Sequence, residues 1–214
     1  MSQSPTEPKS FKVFNEDLDS ETASKLNNEK AISVDTEAMG LVHGRDRLCL
    51  VQICDSEDNV ICIRISIGQN RAPRLKEIME NNSIEKIFHF ARFDVTALAV
   101  GLGIEVKPIF CTKIASKVAR TYTNKHGLKD VVLEIAGIEL DKQQQCSDWG
   151  KSDELSDAQL SYASNDTRYL IQVKEELKRV LIREGRWELA NKCFECIPTI
   201  SKLDILNYKH IFEH

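Results

Sequence analysis

Four acidic residues and one tyrosine fall in three short motifs: Asp35 and Glu37 in VDTEAMG, Asp94 in FHFARFD, and Tyr162 with Asp166 in YASND. Clustered carboxylates can hold two divalent cations about 3.5–4 Å apart. Such a pair suits phosphodiester hydrolysis, where attacking and leaving oxygens are both anionic beside an anionic phosphorus centre. Asp35 and Glu37 lie at i and i+2. In a strand those positions share a face, so both carboxylates can converge on one ion. The same chain holds a control, Asp55-x-Glu57, with identical spacing between two apolar runs. That pair must lie in a turn and reads as solvated loop. Tyr162 and Asp166 are four apart, which on one continuous helix puts both on one face. Taken alone, each signal has a plainer explanation: a packed tyrosine, an acid favouring a helix start at Asp94, or a hydrogen-bonded core histidine at His89.

The elements that must position these groups follow from periodicity. AISVDTE reads as a strand ending in acids, and RLCLVQIC and NVICIRI follow across a DSEDN turn, which predicts a β-meander. APRLKEIMENN predicts a helix with Pro73 in its first turn, and EKIFHF a short strand. RFDVTALAVGLG has helical apolar spacing and stops at Gly101 or Gly103. Helices are further expected over Thr112–Arg120 and Leu128–Ala136. A long helix capped by Ser156 is expected from about Asp157 to Arg183, and a short one over Arg186–Cys196, ended by Pro198. Three strands, then alternating helices and strands, then helices predict an α/β fold with a mixed sheet flanked by helices.

The chain has 214 residues, of which 42% are hydrophobic and 29% charged, enough for a real apolar core. Residues 1–10 are polar, lack an apolar signal segment, and are expected to form a flexible tail. Seven cysteines without a signal segment are expected as reduced thiols of a cytoplasmic protein. Cys193-x-x-Cys196 stands without a second pair. The net charge of −4 argues against a grip on long duplexes and permits a short nucleic-acid substrate. Between Glu105 and Asp130 the chain carries only basic charges: Lys107, Lys113, Lys117, Arg120, Lys125 and Lys129. That run is either a solvated helix face or a local phosphate-binding surface.

VDTE, HFARFD and YASND together match the three motifs of the DEDD exonuclease superfamily in its tyrosine-bearing DEDDy branch, and the wider chain resembles ribonuclease D. The strings DRLCLVQ, IFHFARFD, CTKIASKVARTYTNKHGLKD and KQQQCSDW resemble nano-RNase C (NrnC), a short bacterial family that cleaves dinucleotides. The chain runs 48 residues past Asp166, an expectation of no room for ribonuclease D's C-terminal helical domains. The resemblance spans about residues 11–214 and implies a ribonuclease H-like (DnaQ-like) exonuclease domain over that stretch, with two Mg²⁺ or Mn²⁺ ions. It implies that Asp35, Glu37 and Asp166 hold the first ion, that Asp35 and Asp94 serve the second, and that Tyr162 orients the attacking water. The implied substrate is very short RNA with a free 3′ end, and the implied assembly is a homo-oligomer; the alternatives are a general 3′-5′ exonuclease on longer or structured RNA or DNA ends, or a non-catalytic nucleic-acid-binding module of the same fold.

Substrate contacts are expected from Leu41, at the position where such families wedge apart two bases. His89 and Phe93 could flank a base. Tyr122, His126, Lys142 and Gln143 are candidates to cap a 5′-phosphate.

Overall fold

The computed structural model describes residues 3–140, 149–208 and 211. Six strands form one sheet: β1 (Ser10–Asn15), β2 (Ala31–Ala38), β3 (Leu48–Cys54), β4 (Asn59–Arg64), β5 (Glu85–Phe88) and β6 (Ile109–Cys111), in the order β1-β4-β3-β2-β5-β6. Strands β2, β3 and β4 form the expected antiparallel meander. β5 joins β2 in parallel, β6 joins β5 in parallel, and β1 joins β4 in parallel. The sheet is therefore mixed, and β2, which carries Asp35 and Glu37, is central.

Helices α1 (Ser20–Asn27), α2 (Pro73–Glu80), α3 (Ala91–Leu102), α4 (Thr112–Ala119) and α5 (Leu128–Ala136) precede a short 3-10 helix (Trp149–Glu154). After it come α6 (Asp157–Ala163), α7 (Asn165–Arg168), α8 (Leu170–Arg183), α9 (Trp187–Glu195) and α10 (Ile197–Ile205). Alternation divides the core. Ile32, Val34, Val51, Ile53, Ile61 and Ile63 face the main apolar cluster with Leu75, Ile78 and Leu98. The opposite face carries a smaller cluster of Leu50, Cys54, Val60, Cys62 and Leu160, with Trp149 packed against it. Asp35, Glu37 and Gln52 share the parity of this second face.

Five described elements were not expected: β1, α1, β6, the 3-10 helix and α10. β1 is an edge strand whose partner lies more than forty residues away. α1 is mostly polar and begins at Asp19, whose side chain accepts from Thr22 N at 2.7 Å. β6 is only three residues long. The segment expected as a tail is tied down: Gln3 exchanges backbone hydrogen bonds with Gly137 and Glu139 at 2.9 Å each.

Two expectations are corrected. The long helix over Asp157–Arg183 is broken at Ser164 and Tyr169. Ser156 does open it, in a reciprocal cap with Gln159. The breaks come from hydroxyls that bond the chain three residues back: Ser164 Oγ donates to Ser161 O and Thr167 Oγ1 to Ser164 O, both at 2.8 Å. Pro198 does not end a helix but sits in the first turn of α10, where its missing N–H costs nothing. The α7 segment is anchored by Arg168. Its Nε and Nη2 donate to Asp58 Oδ1 and Oδ2 at 2.8 and 2.6 Å, and Nη1 donates to Thr6 O.

Lys86 is fully buried on β5, and its Nζ donates to the carbonyls of Asn81, Ile84 and Lys107. Three ammonium protons meet three backbone acceptors in the turns that feed β5 and β6. Lys86→Met should strand those carbonyls and lower stability by about 2 kcal/mol in urea denaturation; an unchanged midpoint would show that water serves them equally well.

Candidate active site

β2 brings Asp35 and Glu37 to one face, with a register shift between Glu37 and Ala38 that ends regular pairing just beyond them. Thr36 points to the opposite face. There its backbone N and Oγ1 donate to Asp94 Oδ1 at 3.0 and 2.8 Å. One strand thus carries two acids and pins a third. Asp94 sits in the first turn of α3 and is buried. Asp166 arrives on α7, which packs on β2 and β3.

These four carboxylates feel one another. Burial pushes Asp35 well above the usual carboxylate range, and the charges of Asp94, Glu37 and Asp166 push it further. Burial, then Asp166 and Asp94, raise Glu37 to about 8. Burial raises Asp94 to about 7 against the two Thr36 hydrogen bonds. Burial raises Asp166 to about 6 against the positive charge of Lys129. Among the described residues, no three His, Cys, Asp or Glu side chains are already arranged to hold a metal ion. The donor set nevertheless fits hard divalent cations, which take carboxylate oxygens, and buried like charges need such a counter-charge.

The remaining candidates separate. Tyr162 lies on α6 and Asp166 on α7, with Ser164 between the two helices. Lys142 and Gln143 lie outside the described residues. Leu41 is 82% exposed, in the loop between β2 and β3, and so is no core leucine. That loop is drawn tight by Asp46, which accepts from Val42 N at 2.9 Å and leaves no room for a Cβ on Gly40. Phe93 sits against His43 in the same loop, with ring centroids 5.0 Å apart. His89 follows β5, and its Nδ1 meets Thr112 Oγ1 at 2.9 Å. Thr112 Oγ1 also donates to Phe88 O at 3.1 Å. Burial and then the Lys113 charge lower the His89 pKa to about 4, so its ring is neutral.

His126 Nδ1 pairs with Ser116 Oγ, which also accepts from Arg120 Nη1. Tyr122 is elsewhere: its hydroxyl donates to Glu134, and it lines a cleft of about 340 Å³ with Arg120 and the far end of α8 that includes none of the five motif residues. The basic run is not one solvated face. Arg120 is buried and spent on Ser116, Lys125 O and Glu134. Lys113 Nζ lies 4.1 Å from the Phe90 ring centroid.

Three residues near the motifs escaped sequence reasoning. Phe90 holds a left-handed conformation (φ 72°) directly before α3 and is half exposed. It stood inside HFARFD, but nothing in the string signals that backbone. Lys113 and Lys129 were visible only as members of a charge run.

A mixed six-stranded sheet flanked by helices is the fold of a ribonuclease H-like 3′-5′ exonuclease. The 3′-5′ exonuclease family matches residues 11–182. The structure of Brucella melitensis NrnC bound to pGG is 42% identical and superposes with a TM-score of 0.89 over 96% of this chain and 98% of that one. The same protein with bound Mg²⁺ is 40% identical, with a TM-score of 0.89 over 96% and 99%. Ribonuclease D of Acidiphilium cryptum is 31% identical over 186 residues, 87% of this chain and 47% of that one. The chain thus spans about half the length of the curated relatives it matches. It belongs to the 3′-5′ exonuclease family, and within it to the ribonuclease D-type, NrnC-like nucleases.

Acids whose folded pKa lies above the unfolded value hold extra protons in the fold, so they lower stability as pH rises from the unfolded pKa towards the folded one. Asp35→Asn removes both that cost and the repulsion. In EDTA near neutral pH it should raise folding stability by about 1–2 kcal/mol in urea denaturation. A destabilised variant would mean that Asp35 is held by attraction rather than repelled.

Proposed function

We propose that this chain is a two-metal 3′-5′ exoribonuclease that hydrolyses very short RNA, chiefly dinucleotides, to nucleoside 5′-monophosphates. The observation that carries the reading is the shared field of Asp35, Glu37, Asp94 and Asp166 around the end of β2. Likeness over nearly the whole length to a protein seen with pGG supports the substrate size. The catalytic unit proposed is residues 11–214.

Asp35, Glu37 and Asp166 would hold one cation, and Asp35 and Asp94 would serve the other. Bound divalent cations supply charge neutralisation at the attacking and leaving oxygens and lower the pKa of the attacking water. Thr36 fixes Asp94 through two hydrogen bonds, which leaves Asp94 Oδ2 for the cation or its water. Tyr162 orients the attacking water. Leu41 stands exposed beyond Glu37 and inserts between the two bases. Phe93 and the neutral His89 flank a base without adding charge. His126, Lys142 and Gln143 cap the 5′-phosphate; Tyr122, committed to Glu134 in another cleft, is left out of this set. The protein is expected to act in the cytoplasm as a homo-oligomer.

The test is to compare initial rates with Mg²⁺ on 5′-phosphorylated RNAs of two, three, five and ten nucleotides. A steep preference for the dinucleotide is expected. Rates that hold or rise with length would move the chain to a general exonuclease of longer ends. Asp166→Asn should lower turnover roughly 10²–10³-fold, the loss of several kcal/mol of charge stabilisation.

A pH dependence follows from the same acids. Cations compete with protons for Asp166, Asp94 and Glu37, whose pKa values lie at about 6, 7 and 8. The gain in thermal stability from added Mg²⁺ should therefore be small below about pH 6 and grow towards pH 8. A gain independent of pH would place the ion elsewhere.

A further inference from the structure

Gln52 stands at the middle of β3, fully buried, and neither Nε2 nor Oε1 of its amide has a hydrogen-bond partner. Such a group costs stability, and in a folded protein it calls for an explanation. Its place in the sheet supplies one. Gln52 is paired in register with Asp35 on β2 and with Cys62 on β4. Residues directly opposite in antiparallel strands share a face, with Cβ atoms about 5 Å apart. The row Asp35–Gln52–Cys62 therefore crosses the three central strands on one face, and Glu37, opposite Leu50, lies on the diagonal.

Among the described residues, little else on this face can use the amide. Leu50 and Leu160 are apolar. The Cys62 thiol, pushed up to about 12 by burial, stays protonated and is a weak partner. Ser164 Oγ is committed to Ser161 O. Asp35 is the carboxylate directly opposite it in register; burial raises its pKa, and the backbone at Thr36 lowers it somewhat.

We propose that Gln52 is a positioning residue for Asp35: its amide N–H would donate to the Asp35 carboxylate when divalent cations are bound, and so fix the orientation of that carboxylate. Groups behind a ligand commonly orient it in this way, and their loss weakens metal affinity about 10–100-fold. The unpartnered amide is thus a donor held in reserve. The inference rests on Asp35 being a cation ligand.

The test compares wild type with Gln52→Leu and Gln52→Met, which keep bulk and remove the amide. Urea denaturation in EDTA reads the fold, and the electron paramagnetic resonance signal of free Mn²⁺ reads affinity. Expected are unchanged or raised metal-free stability, Mn²⁺ affinity about tenfold weaker, and a Mg²⁺ concentration for half-activation that rises more than turnover at saturating Mg²⁺ falls. Mn²⁺ affinity within twofold of wild type in either folded variant would overturn the proposal alone. Loss of folding in both would also overturn it, because the amide would then be holding the sheet. If wild type itself binds no Mn²⁺, the two-metal reading fails, and this proposal with it.

Discussion

Four carboxylates forced together at the end of one central strand set the terms for the rest of the structure. Like charges in a partly dry site repel, and the chain spends fixed structure to keep them there. β2 holds Asp35 and Glu37 by its pairing with β3 and β5, so neither can retreat without breaking the sheet. Thr36 ties Asp94 with a backbone and a side-chain donor. Arg168 locks α7, and with it Asp166, to the β3–β4 turn. Rigidity here favours the cation site proposed above, since groups already in position lose little freedom on binding.

The sheet shows how far periodicity reaches. The meander β2–β3–β4 and the β5 strand were legible because apolar, β-branched runs alternate with turn residues. The Asp55–Glu57 pair was legible as a turn: Asp55 Oδ1 accepts from the backbone N of Glu57 and Asn59, both at 2.9 Å, and so closes the β3–β4 connection. β1 was missed because an edge strand buries only part of one face, and its partner is distant in sequence. β6 is too short to leave a period, and α1 is recognisable by its Asp19 cap rather than by an apolar stripe.

At the site, residue types were legible and backbone was not. The acids could be read from their motifs. The break at Ser164 could not, because it depends on hydroxyls turning back onto carbonyls, a choice that helical spacing does not record. Phe90's left-handed backbone and the division of the basic run into a buried Arg120, a ring-facing Lys113 and a Lys129 whose charge acts on Asp166 are likewise products of tertiary packing. Gln52 is the sharpest case. In LCLVQIC it is one polar residue in an apolar strand, and only the register shows that Asp35 lies beside it.

Arg168 has one more consequence. The same guanidinium that holds Asp58 also donates to the carbonyl of Thr6. The first turn of chain before β1 is therefore wired, through a single side chain, to the short helix that carries Asp166. Anything that pulls on that segment, such as a bulky partner or a fusion placed ahead of Gln3, acts on Asp166, a proposed cation ligand, from a distance. The amino-terminal end of the molecule is a handle on its chemistry.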